Sequence, residues 1–147
     1  MRARSMKTIR ELLEELKKDA AYMDLAAPAE KSAVLAKLPP ELRELLGCFD
    51  GGEIYVPGTV IYGMSGQRNL AWANDAAHRR RFHLPGSAMV IAKENFGDLI
   101  CLEMRPPYQV IQWDHERDCE YERWDSLAHW LAWEIEVGRQ LVSEMEG

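Results

Sequence analysis

Residues 89–113 read MVIAKENFGDLICLEMRPPYQVIQW, and this stretch decides the fold. Met89-Val90-Ile91-Ala92 is one short apolar run. Leu99-Ile100-Cys101-Leu102-Glu103-Met104 is a second, and Tyr108-Gln109-Val110-Ile111-Gln112-Trp113 a third, with Tyr108, Val110 and Gln112 on one face. Asn95-Phe96-Gly97-Asp98 and Pro106-Pro107 punctuate them. Strand-like runs this close together imply an antiparallel meander, because a parallel connection needs a crossover of a dozen or more residues. Cys101, between Ile100 and Leu102, reads as a small buried hydrophobe.

Upstream, Ile54-Tyr55-Val56 and Thr59-Val60-Ile61-Tyr62 flank Pro57-Gly58 and read as strand, turn, strand. Asn69 to His83 reads as a helix with a basic end, His78-Arg79-Arg80-Arg81, which suits the helix dipole. Three helices are expected before Gly52. Thr8-Ile9-Arg10-Glu11 matches a capping box and opens the first, from Ile9 to about Met23. Pro28 fits the first turn of a second, short one. Leu42, Leu45, Leu46 and Phe49 line one face of the third, which Asp50-Gly51-Gly52 stops. After Asp125-Ser126 a last helix carries Leu127, Trp130, Leu131, Ile135, Leu141, Val142 and Met145 as an apolar stripe. Gly138 in it marks a kink or a close packing point. The expected class is α+β: a mostly antiparallel sheet of four to six strands, with N-terminal helices and a C-terminal helix packed on it.

The chain has 147 residues, 47% hydrophobic and 29% charged, which suits one soluble globular domain over 9–147 after a poorly ordered start, 1–8. No run approaches the ~20 apolar residues of a membrane helix, and no apolar region follows the basic start. The expected location is the cytoplasm, with no membrane partner. Three widely spaced cysteines, Cys48, Cys101 and Cys119, form neither a disulfide framework nor a Cys-x-x-Cys pair. Residues 1–93 hold 14 Lys and Arg against 11 Asp and Glu, whereas residues 94–147 hold 4 against 13. Such an acidic half repels phosphates, so nucleic acid is not the expected partner.

Four motifs in order resemble one family. Leu38-Pro39-Pro40-Glu41-Leu42-Arg43-Glu44-Leu45-Leu46 leading into Phe49-Asp50-Gly51-Gly52 is similar to the proline, short helix and Asn-Gly-Gly entry of the SUKH superfamily, Smi/Knr-like type. Met89–Ala92 with Gly97-Asp98 and Leu99–Leu102 resembles its central strand, turn and next strand. Val110–Glu116 resembles the strand ending in Asp-His, and Ser126–Leu131 the closing helix. Asp50 stands where that family usually has Asn. The resemblance covers roughly residues 8 to 137. It implies an α+β domain without catalytic chemistry. Bacterial members are commonly immunity proteins that bind a cognate toxin, often a nuclease, and fungal members are regulatory interaction proteins.

The residues themselves carry few chemical constellations. Gly97-Asp98 reads as a β-turn. Asp114 to Cys119 contains every ligand type zinc likes, but the alternation of an extended chain would split them between two sides. Neither Cys101 nor Cys119 sits in a nucleophile signature. No catalytic residue, cofactor or metal is therefore expected. The rival readings are a generic interaction module, or a small hydrolytic enzyme using Asp98, His115 or Cys119. The basic run 78–81 lacks the aromatic platform that nucleic-acid stacking needs. Trp124, Trp130 and Trp133 serve either the core or an interface anchor. Asp114, Glu116, Asp118, Glu120 and Glu122 recur at every second residue, so an extended conformation would align all five carboxylates. They are the expected contact face for a protein partner, a toxin domain with a basic surface.

Overall fold

The structure is a computed structural model that describes residues 6–146. Of the start expected to be poorly ordered, residues 1–5 lie outside the described residues, while Thr8 caps the first helix. In chain order the elements are α1 (Ile9–Lys18), β1 (Asp24–Leu25), α2 (Ala33–Ala36), α3 (Pro40–Cys48), β2 (Gly52–Ile54) and β3 (Thr59–Ile61). They continue with α4 (Leu70–Ala73), α5 (Ala76–Arg81), β4 (Ala88–Lys93), β5 (Leu99–Glu103), β6 (Val110–Asp114), β7 (Cys119–Trp124) and α6 (Leu127–Glu146). The protein is α+β, as its strand spacing implies. The strands form one antiparallel sheet in sequential order β1 to β7. Seven strands replace the expected four to six, because Asp24-Leu25 adds an edge and Cys119–Trp124 returns beside β6.

Local chemistry explains the helix ends. The Thr8 hydroxyl accepts from the Glu11 N–H and the Glu11 carboxylate accepts from the Thr8 N–H, closing the capping box. The helix stops at Lys18, earlier than Met23, and a single 3₁₀ turn over Ala20–Tyr22 follows. Pro28 lies before the second helix, which Ser32 caps instead. Asn69 and Asp75 each accept a hydrogen bond from the backbone three residues on, so residues 69–83 form two short helices instead of one.

Register shows which face each helix covers, since paired residues in a ladder share a face. Ile100 pairs with Gln112, and Gln112 with Glu122. That face lies under α6. Cys101 and Trp113 lie on the other, where the Trp113 indole N–H donates to the Phe82 carbonyl at 2.7 Å. The segment 69–83 therefore covers the second face, and β5 and β6 are buried on both sides. Cys101 is fully buried, and burial pushes its thiol up to about 12. Trp130, Leu131 and Leu127 of α6 pack with Leu12, Leu16, Leu42 and Leu46 in the buried core.

Asn74 serves as a surrogate strand. β3 pairs with β4 only at Val60–Lys93 and Ile61–Ala92, which leaves the start of β4 without a ladder partner on that side. The Asn74 amide fills the gap, accepting from the Val90 N–H at 2.7 Å and donating to the Val90 carbonyl at 2.8 Å. Val90 is buried, so Asn74→Ala strands two backbone groups away from water. We expect a loss of about 2 kcal/mol in denaturant unfolding, with Asn74→Asp showing a comparable loss because its carboxylate cannot donate.

The Asp50-Gly51-Gly52 corner is held by side-chain acceptance. Asp50 accepts from the N–H groups of Met64 and Ser65 and from the Ser65 hydroxyl. Gly51 has φ +82°, and a Cβ there would lie 2.6 Å from the backbone of Ile61 and Gly63. Asp performs at this corner the acceptor role that Asn would, and does so with two oxygens.

Candidate functional site

The chain 110–124 is a hairpin, so the five expected contact carboxylates are not one extended row. Asp114 closes β6, Glu116 and Asp118 occupy the turn, and Glu120 and Glu122 lie on β7. Gln112 pairs with Glu122 but Trp113 pairs with Glu120, so Tyr121 is the extra residue of a β-bulge. The bulge puts Glu120 and Glu122 on opposite faces, because neighbouring residues of β6 face opposite ways. Period-2 spacing held only where pairing was regular. The side chains also have local partners. Asp114 accepts from the N–H groups of Glu116 and Arg117, His83 Nδ1 lies 2.8 Å from Asp118, and Arg123 binds Glu120. Glu116 is the most exposed of those in ion pairs, its side chain 82% accessible.

Asp98 and His115 do come together. His115 donates its backbone N–H to Asp98 Oδ1, its Nδ1 lies 2.6 Å from the same oxygen, and Gln112 donates to Oδ2 at 2.8 Å. Burial works to raise the Asp98 carboxyl, but these hydrogen bonds outweigh it and hold it below the usual range. Asp98, Asp114 and His115 offer ligand atoms within 4.8 Å of one another. Both Asp98 oxygens and Oδ1 of Asp114 accept the hydrogen bonds just described, so the cluster fastens the hairpin. Cys119 lies exposed on β7, opposite Asp114 in the ladder. In the basic run, Arg79 is structural: it donates to the carbonyls of Ala88 and Pro85, both at 2.7 Å.

A feature the sequence did not reveal lies between α6 and the β7 side of the sheet. A cleft of about 430 Å³ is walled by Phe96, Tyr121, Trp124, Trp133 and Leu141 and floored by Thr59, Glu94 and Glu134. Phe96 is 59% exposed, Tyr121 67% and Trp133 41%. The Trp124 and Trp133 rings stand 5.5 Å apart between centroids. Trp130, by contrast, is wholly buried. The three tryptophans thus divide between core and cleft wall.

The cleft floor is a carboxyl pair around one hydroxyl. Thr59 Oγ1 lies 2.8 Å from Glu94 Oε2 and also contacts Glu134 Oε1. A hydroxyl has one proton to donate, so Thr59 bonds both carboxyls only when one of them carries a proton and donates in return. Burial raises both acids. It is the largest effect on Glu134, and the Glu94 charge adds to it, so that Glu134 is pushed up to about 8. Burial and the nearby Asp98 charge raise Glu94 against the opposing hydrogen bonds of Thr59 and Glu134. Glu94 Oε1 is buried and accepts no N–H or hydroxyl hydrogen bond among the described residues. No single residue here is unusual in sequence. Glu94, Thr59 and Glu134 are brought together only by the β3–β4 pairing and the angle of α6.

A second, larger cleft of about 840 Å³ lies between residues 26–38 and the 64–74 segment. Its buried carboxylate, Asp50, is already occupied by the Met64–Ser65 loop. No helix among the described residues is long and apolar enough to cross a membrane. Comparison with known proteins adds two findings. Residues 28–133 match the family model described as SMI1 / KNR4 family (SUKH-1). No curated protein matches the chain.

Proposed function

The chain belongs to the SMI1/KNR4 family (SUKH-1), and on that premise we propose that residues 9–147 form one non-enzymatic protein-binding unit, an immunity protein that captures and neutralises a cognate toxin. The observation that carries the binding reading is the group of aromatic side chains left in water around the 430 Å³ cleft. Exposed Trp, Tyr and Phe beside polar groups are the composition of a contact surface, where large rigid rings contribute most of the binding energy. The Asp98–His115 pair supports a hairpin rather than turnover, because both groups are engaged in holding it.

The partner is proposed to be a protein with a basic surface, such as a nuclease toxin, docking against Asp114, Glu116, Asp118, Glu120 and Glu122. The hairpin changes how these residues act. Instead of one ridge, they set a negative potential around the turn and along the cleft rim, where Glu122 lies. Such a field accelerates association and is screened over roughly 8 Å at physiological salt.

Two experiments test this reading. The first is co-purification with the C-terminal domain encoded by a neighbouring toxin gene, where a stoichiometric complex is expected. In the second, Glu116→Lys, Asp118→Lys and Glu120→Lys combined should slow association about tenfold at low salt with the far-UV spectrum unchanged. An association rate indifferent to both salt and charge reversal would remove the acidic face from the proposal.

A further inference from the structure

We propose that the cleft between α6 and β7 is a receptor for one lysine side chain of a protein partner, its ammonium bound by Glu94 above the Thr59–Glu134 floor and its stem held between the aromatic walls. This deepens the protein-binding reading and rests on it for the identity of the occupant as part of a protein.

Four observations converge on that occupant. First, Glu94 is 92% buried, lines the cleft, and its Oε1 accepts no N–H or hydroxyl hydrogen bond among the described residues. A buried acceptor left unpaired is costly, and a cation in the cleft would relieve that cost once the Glu94 side chain turns its Oε1 toward it. Second, two carboxyls share the one Thr59 hydroxyl, so with either of them ionised the floor carries net negative charge, which a cation matches where a neutral donor would not. Third, the walls suit a methylene stem. Trp133, Trp124 and Leu141 offer apolar surface, and ring faces attract an ammonium electrostatically.

The fourth observation separates lysine from arginine. A guanidinium binds best as a fork, using both oxygens of one carboxylate in a plane. Thr59 occupies Oε2 of Glu94 and Oε1 of Glu134. In each carboxyl one oxygen therefore already carries a hydrogen bond, which makes a planar two-oxygen fork the poorer fit. A compact ammonium needs only the single free oxygen and can turn its remaining protons toward the Glu134 carboxyl or water. The facing charged groups are acidic: Glu94 and Asp98 from the β4–β5 turn, Glu134 from α6 and Glu122 from β7.

The test needs no protein partner, so its outcome is independent of whether a toxin is captured. The probe is Nα-acetyl-lysine methylamide, titrated into the whole protein while the indole N–H signals of Trp124 and Trp133 are followed by NMR. The controls are the Nε-acetylated form of the probe and Nα-acetyl-arginine methylamide. Saturable shifts with a dissociation constant in the roughly millimolar range are expected for the lysine probe, at least tenfold weaker binding for the acetylated probe, and several-fold weaker binding for arginine. Glu94→Gln, which keeps the side-chain shape, should weaken the lysine probe at least tenfold while leaving the rest of the spectrum in place. Trp133→Ala should weaken it several-fold, and as an exposed-site change it leaves the core untouched. Equal shifts from lysine and acetyl-lysine, preferred binding of arginine, or a Glu94→Gln protein that binds as before would overturn the proposal.

Discussion

Stability of this protein should fall as pH rises from about 5 to 8, opposite to the usual trend for an acidic protein on that limb. The cause is the cleft floor. Glu134 has its carboxyl pushed from the ordinary 4.5 to about 8, chiefly by burial, and Glu94 is raised as well. A raised carboxyl binds its proton more tightly folded than unfolded. Between 4.5 and about 8 the folded state therefore holds more protons, and each pH unit costs up to about 1.4 kcal/mol per extra proton. Over that window the total loss is several kcal/mol. The groups facing the pair from each packed element are Thr59 on β3, Asp98 in the β4–β5 turn, Glu122 on β7 and Glu134 itself on α6, and none is cationic. Below pH 4.5 the sign reverses. Asp19 and Asp98 are held below their ordinary value, so their contribution is lost on acidification. The maximum is expected near pH 5. Urea unfolding at several pH values checks it, and Glu134→Gln, which mimics the protonated acid, should flatten the falling limb. A stability that is flat or rises between pH 5 and 8 would mean that the pair ionises freely.

Much of this architecture is written in local signals. The capping box at Thr8, the strands of 89–113 and the α6 stripe from Leu127 to Ile135 depend on neighbours in sequence, and each forms where spacing places it, whereas Leu141 and Met145, expected on the same stripe, are exposed because the sheet no longer lies beneath that end of the helix. The misplacements have a common cause. Residues 69–83 look like one helix, but the side chains of Asn69 and Asp75 each start a helix of their own. The run 114–122 alternates perfectly in sequence, yet the turn and the bulge at Tyr121 cancel the alternation in space. Periodicity reports a face only while pairing stays regular, and a bulge adds a residue without any compositional mark. The cleft is the extreme case. Thr59 lies on β3, while Glu94 in the β4–β5 turn and Glu134 on α6 are 35 and 75 residues away from it in sequence. Each looks like an ordinary surface residue in its own segment, and only the tertiary fold makes them a buried pair.

Gly138→Ala should destabilise the protein by roughly 3 kcal/mol, although helix propensity alone predicts a gain of about 1. Gly138 sits in α6 directly against Tyr55, and an added Cβ would overlap Cδ2, Cγ and Cε2 of the tyrosine ring, well inside van der Waals contact. The ring has little freedom to yield. Its hydroxyl donates to Asp19 at 2.6 Å, and Arg139 binds the same carboxylate at 2.7 Å, tying α6 to the end of α1. Of the two roles the sequence left open for Gly138, close packing is the one realised. The clash would have to be relieved by moving α6 away from the sheet. Glu134 lies one turn earlier on that helix, so the same movement separates it from Thr59 and loosens the cleft floor. Truncating the ring should cure the defect: in a Tyr55→Ala background, Gly138→Ala should be neutral or stabilising by up to about 1 kcal/mol. A double-mutant cycle by denaturant unfolding measures this, and a coupling energy near zero would show that the helix and the ring do not constrain one another. The lysine probe adds a functional readout, since Gly138→Ala should weaken its binding by more than the stability loss alone explains, through the displaced Glu134 rather than through any contact with the probe.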